Sequence, residues 1–216
     1  MNHPHQLSQQ LSQQLSHQLS HQLSYQLSTQ PLPRRSLRGA AWRTVLYAAL
    51  LSLVTACTTP PDGVTPVTPF DVTRYAGKWF EVARLDHSFE RGLTDVSATY
   101  RLQPDGSVEV INRGFAADKR EWKQADGKAR FIGDTTRASL KVSFFGPFYG
   151  GYHVIALDQQ GYRWAMVIGP NRDYLWILAR DRQLPAAVRE QLVAQARQLG
   201  VAVDKLIWVE QTRPDA

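Results

Sequence analysis

From Tyr75 onward the chain is a train of short apolar-alternating segments separated by turn signals, and this spacing restricts it to an all-β fold. Lys78–Leu85 and Val96–Leu102 are followed by the turn Pro104-Asp105-Gly106 and by Ser107–Arg113. Glu121–Ala125 and Lys128–Gly133 flank Asp126-Gly127, which reads as a hairpin signal or as a bulge inside one long strand. Ser139–Phe145, Gly151–Asp158, Tyr162–Gly169 and Tyr174–Arg180 complete a series of eight strands if the Asp126-Gly127 region bends without breaking. Alternation is plain where Leu140, Val142 and Phe144 share one face and Ser139, Lys141 and Ser143 the other.

One helix interrupts the pattern. Pro185 suits an early helical position, Val188, Leu192 and Leu199 fall on one face, and Gly200 is a natural stop. Lys205–Glu210 then returns to a strand pattern. Closing eight strands into an up-and-down barrel removes the unpaired edges. Such a barrel encloses a volume that side chains fill or that holds one small ligand. Periodicity alone leaves barrel and sandwich both open.

Three segments precede this region. Residues 6–29 repeat Gln-Leu-Ser-x six times. With a period near one helical turn, residues 1–33 read either as an amphipathic associating segment or as low-complexity sequence without packed structure, including translated upstream sequence. Residues 34–56 open with Arg34, Arg35, Arg38 and Arg43 and continue with the apolar run Thr44–Leu53. Ten residues rise about 15 Å as a helix, half of a ~30 Å bilayer core. The run therefore reads as a signal peptide and not as a membrane span. Val54-Thr55-Ala56-Cys57 ends it in the pattern of a lipobox, which places a diacylglyceryl thioether on Cys57. The segment 57–73, rich in Thr and Pro, reads as an extended tether, and 74–212 as the folded domain.

Charge supports this division. The formal net charge is +6, yet four of the 25 Lys and Arg lie upstream of Cys57 and none of the 19 Asp and Glu does. The remainder is nearly balanced, so there is no case for a nucleic-acid partner. With a single cysteine no intrachain disulfide can form, and the fold stands on its core.

Particular residues carry a family resemblance. Gly77-Lys78-Trp79-Phe80-Glu81-Val82-Ala83-Arg84 resembles the first signature of the lipocalins, and Trp176-Ile177-Leu178-Ala179-Arg180 precedes the helix where that family places an arginine. Leu157-Asp158-Gln159 stands where Thr-Asp-Tyr is usual, so only Asp158 fits the middle signature. Phe89–Leu93, Lys141–Tyr152 and Asp173–Leu178 are similar to runs in the bacterial lipocalin lipoproteins, and the resemblance spans about Phe70 to Gln211. It implies the lipocalin (calycin) fold: all-β, an eight-stranded antiparallel up-and-down β-barrel with one C-terminal α-helix packed outside. It also implies that Gly77, Trp79 and Arg180 close the barrel, the guanidinium lying over the indole.

The same resemblance implies a fatty acid or lysophospholipid bound in the barrel, a role in envelope lipid maintenance, an outer-membrane location through the Cys57 anchor, and a homodimer among the possible assemblies. Thr58 after the cysteine, in place of Asp, points to the same membrane. Tyr100, Phe131, Phe144, Tyr152, Trp164 and Trp176 are the candidate pocket lining; the competing reading is that they fill the barrel or cover its outside. Gly146–Gly151 reads as an exposed aromatic loop at the mouth, on a membrane or at a dimer contact, or simply as a rigid hairpin turn. No enzyme, cofactor or metal is expected. Cys57 is committed to lipid, His87 and His153 lack metal-ligand spacing, nothing resembles a nucleophile elbow, and the acids Glu81 and Asp86 have no distinguishing spacing. A structural or interaction lipoprotein with a filled barrel is the alternative function.

Overall fold

The computed structural model describes residues 58–214. The repeat of residues 1–33, the segment 34–56 and Cys57 lie outside the described residues. Nine strands form one antiparallel sheet: β1 (Gly77–Arg84), β2 (Leu93–Leu102), β3 (Val108–Ala116), β4 (Glu121–Phe131), β5 (Ser139–Phe145), β6 (Phe148–Leu157), β7 (Trp164–Ile168), β8 (Leu175–Ala179) and β9 (Ile207–Trp208). Strands β1 to β8 run up and down in sequence order. The sheet closes because β1 pairs with both β2 and β8. A short helix α1 (Val72–Tyr75) precedes the barrel, and α2 (Ala186–Gln198) follows β8.

Strand β4 is continuous through Asp126-Gly127, with unbroken register to β3, so neither a hairpin nor a bulge forms there. The glycine serves packing instead: a Cβ at Gly127 would stand 2.8 Å from the Phe144 ring. Register shifts occur elsewhere, at Glu81/Ala83 on β1, Thr94/Ser97 on β2, Val142/Phe145 on β5 and Val154/Ala156 on β6. The β5–β6 hairpin extends to a Phe145–Phe148 pair, so β6 begins three residues before the sequence pattern suggests.

Two apolar cores result. The inner one includes Trp79, Ala98, Tyr100, Val110, Leu140, Val154, Val167 and Leu178, all facing the barrel axis. The outer one sandwiches α2 against β7 and β8, with Leu192 and Ala196 buried among Met166, Ile168, Leu175 and Ile177. Val188 and Leu199 flank that contact, and Gly200, at φ +79°, ends the helix with its N–H on the Arg197 carbonyl.

The expected tether is shorter than its composition suggests. Val64, Pro66 and Phe70 are buried. Val67 donates to the Val154 carbonyl and accepts from Ala138 N–H, and Phe70 donates to Thr136. An extended Pro-rich strand offers few donors, yet the ones it keeps are used against β5 and β6, so the segment packs along the barrel wall.

The C-terminal segment completes the upper seam, where β1 and β2 part beyond their Phe80–Ser97 pair. Strand β9 pairs with Ala83 and Arg84. Asp95 N–H donates to Glu210, and the Gln211 amide donates to the carbonyls of Glu81 and Val96. The buried Asp95 carboxylate accepts the N–H groups of Thr212 and Arg213, both at 2.6 Å.

Candidate functional site

One end of the barrel is shut by a cation on an indole. Trp79 is fully buried, and its Nε1–H donates to the Tyr75 carbonyl at 2.7 Å. The Arg180 guanidinium lies 3.9 Å from the indole centroid. It donates to the carbonyls of Lys78, Arg74, Tyr75 and Ala76 at 2.8–3.1 Å, and to that of Tyr162 at 3.3 Å. Three of these acceptors are the carbonyl groups that α1 leaves without helical partners, and a planar five-donor fork suits them. Gly77 takes a φ of +94°, and a Cβ there would come within 3.3 Å of Arg180 Nη1. Its backbone favours glycine, and a Cβ would press on the guanidinium.

Above this floor, Tyr152 Oη hydrogen-bonds to Tyr75 Oη at 2.7 Å and to Tyr100 Oη at 2.8 Å. Burial, as the largest cause, raises the pKa of all three phenols, which stay neutral hydroxyls at pH 7. Phe70, Tyr75, Trp79, Tyr100, Phe131 and Leu140 together occupy the closed half of the interior.

The other half is lined by smaller groups. On β3 and β4 the inner positions are Asn112, Gly114, Ala125, Gly127 and Ala129, as their alternation with buried Ala129 and the pairing register require. Val142 and Phe144 stand beside them on the paired strand β5, with Phe144 against Gly127, while Tyr152 and Trp176 come from β6 and β8; each of the four is only partly buried although it points inward. Ala125 is exposed despite its inner position, so solvent reaches the lumen there.

Five of the six candidate lining residues, Tyr100, Phe131, Phe144, Tyr152 and Trp176, therefore lie on the inner face. Trp164 does not. Ala165 and Val167 belong to the inner core, which turns Trp164, Met166 and Ile168 outward into the layer beneath α2.

A polar group at the mouth side of the lumen was not singled out by sequence. Arg84, fully buried, donates to Glu81 Oε1 at 2.7 Å and to the carbonyls of Glu90 and Leu93. Trp176 Nε1–H donates to Glu90 Oε2 at 3.1 Å, and His87 Nε2 lies 3.5 Å from the same oxygen. Burial raises the carboxyl pKa of Glu81 well above the ordinary range, with the Glu90 charge adding to it, and burial likewise raises that of Glu90. Burial and the Arg84 charge lower His87 to about 4, so it is neutral at pH 7. Position 81 is two residues from Trp79 and shares its inner parity, which is the signal available in the sequence. Arg84 reaches the same face only through the register shift after Glu81.

Residues 70–211 match the family model of the lipocalin-like domain. The chain is 55% identical over 169 residues to the outer membrane lipoprotein Blc of Escherichia coli K12, covering 77% of this chain and 95% of that protein. It is 47% identical over 169 residues to the Blc protein of Vibrio cholerae, covering 78% and 99%. Temperature-induced lipocalin-1 of Arabidopsis thaliana is 35% identical over 145 residues, covering 63% and 76%. Among solved structures, insecticyanin from the tobacco hornworm superposes with a TM-score of 0.57 at 22% identity, covering 73% of this chain and 88% of that one, and so shares the fold. Barrel, closing arginine, outer helix and sequence identity all agree that this chain belongs to the lipocalin-like family.

Proposed function

We propose that this protein is a lipid-anchored lipocalin of the outer membrane that holds a fatty acid or lysophospholipid in the half of its barrel lined by smaller groups. The observation that carries the reading is the lumen itself: the partly buried inward side chains Val142, Phe144, Tyr152 and Trp176 share it with the small inner groups Asn112, Gly114, Ala125 and Gly127, and solvent reaches it at Ala125. Burying an acyl chain there is worth about 0.8 kcal/mol per CH₂ before association costs. The Arg84, Glu81 and Glu90 group supplies polar partners for a head group near the mouth. Anchoring on Cys57 is supported by the signal segment before it and by the names of the Escherichia and Vibrio relatives.

The test is mass spectrometry of lipids that co-purify with the Cys57→Ser chain, followed by competition against a fluorescent fatty acid. A stoichiometric acyl lipid that competes supports the carrier. Ala125→Phe narrows the lumen without touching its floor and lowers probe affinity at least tenfold. Retention of full affinity in that variant would refute the lumen as the site.

A further inference from the structure

The up-and-down order places four connections at the mouth: residues 85–92, 117–120, 146–147 and 169–174. The closing arginine, α1 and the remaining connections occupy the opposite end. Among the described residues the three most exposed large apolar side chains, Phe145 at 78%, Phe148 at 77% and Phe89 at 60%, all belong to this mouth. Phe145 and Phe148 form the tip of the β5–β6 hairpin, and Phe89 stacks on His87 at 4.2 Å between centroids.

The chain enters the domain at the same end. The Thr58 carbonyl lies 3.3 Å from where a Cβ on Gly151 would stand. Gly151 is three positions from Phe148 along β6, about 10 Å at the usual strand rise. Arg172, in a mouth connection, donates to the Asp62 carbonyl at 2.7 Å and holds the following residues there. Cys57 directly precedes Thr58 in the sequence. An acyl group on Cys57 thus enters a bilayer beside the mouth, not beside the closed end.

We propose that the barrel docks mouth-first on the membrane that holds its anchor, with Phe89, Phe145 and Phe148 inserted among the lipids. Aromatic tips with an acyl anchor beside them match an interfacial lipid surface, where apolar area and a covalent chain act together. The lumen then opens onto the leaflet, and a lipid passes between bilayer and barrel without crossing water. This rests on the Cys57 anchor of the proposed function.

The test uses the mature lipidated chain reconstituted in phosphatidylethanolamine and phosphatidylglycerol vesicles, with a nitroxide on Phe148→Cys, Phe89→Cys or, at the closed end, Thr135→Cys. Acylated Cys57 cannot take the label, so each variant carries one nitroxide. Mouth labels are expected to collide several-fold more with lipid-soluble oxygen, and several-fold less with a water-soluble nickel chelate, than the label at position 135. Equal accessibility at both ends overturns the proposal. Shielding of the mouth labels from both reagents, with dipolar broadening between nitroxides, also overturns it, since a second copy then covers the mouth. Two labels per chain by mass would show Cys57 unmodified, and this failure of the anchor is distinct from a failure of orientation.

Discussion

Replacing Arg180 by alanine tests whether the floor of the barrel is held by one side chain. Five backbone carbonyls lose a donor and the Trp79 indole loses its cation. A hydrogen bond to a charged group contributes about 1.5–3 kcal/mol, and a cation over an indole about 0.5–2 kcal/mol. Carbonyls at the end of the barrel regain water when the guanidinium leaves, so only part of the sum is lost. The expected destabilisation is about 3–5 kcal/mol, against a typical total of about 5–15 kcal/mol. For a domain of this size that lowers Tm by about 10 °C. Urea unfolding followed by tryptophan fluorescence and circular dichroism measures it. Arg180→Lys keeps the charge but not the planar fork, and should recover less than half of the loss. Fatty-acid affinity of the folded fraction should stay within threefold of the parent. The reasoning is wrong if Arg180→Ala unfolds within 1 kcal/mol of the parent, or if lysine restores full stability.

Other perturbations separate the two faces, the seam and the buried imidazoles. Trp164→Ala should lower stability by about 3 kcal/mol and leave probe affinity unchanged, whereas Trp176→Ala should weaken the probe; equal effects of both on binding would contradict the assignment of faces. Asp95→Ala should release the segment after β9, with faster hydrogen exchange at Thr212 and Arg213 and a loss of about 3 kcal/mol. Burial lowers His153 and His87 from 6.5 to about 4, so the fold favours neutral imidazole. Their contribution is complete above the unfolded pKa and is lost as pH falls from 6.5 through 4, by about 3 kcal/mol for each. Glu81 and Glu90, whose pKa values are raised, work in the opposite sense, because their penalty is relieved as pH falls. His153→Gln should therefore lessen the difference in stability between pH 7 and pH 4 relative to the parent; an unchanged difference, read from urea midpoints, would remove His153 from that account.

Strands were legible where only one of their faces is apolar. Leu140, Val142 and Phe144 alternate with polar neighbours, and the observed β5 has the expected bounds. On β7 both faces are apolar, because α2 covers the outside, so periodicity could not assign Trp164 to a side. Charge misleads in the reverse way on β1, where Glu81 and Arg84 point inward and hydrogen-bond to one another. The Pro-rich segment looks like a free spacer because its few backbone donors find acceptors more than 60 residues away, at Val154 and Thr136. Register shifts on four strands have no composition of their own, and they decide which face each later residue takes.

The seam has a kinetic consequence. Strand β1 finds β8 about a hundred residues later, and its upper half then needs β9 and the residues up to Arg213. At a synthesis rate of about 5–20 residues per second, that interval alone lasts about 5–20 s. Throughout it the nascent sheet has unpaired edges, the geometry most open to association with another chain. A chain shortened anywhere before the end of β8 is thus an open sheet and not a smaller barrel. The quality of the product depends on whatever shields the free edge of β1 until β8 and β9 arrive.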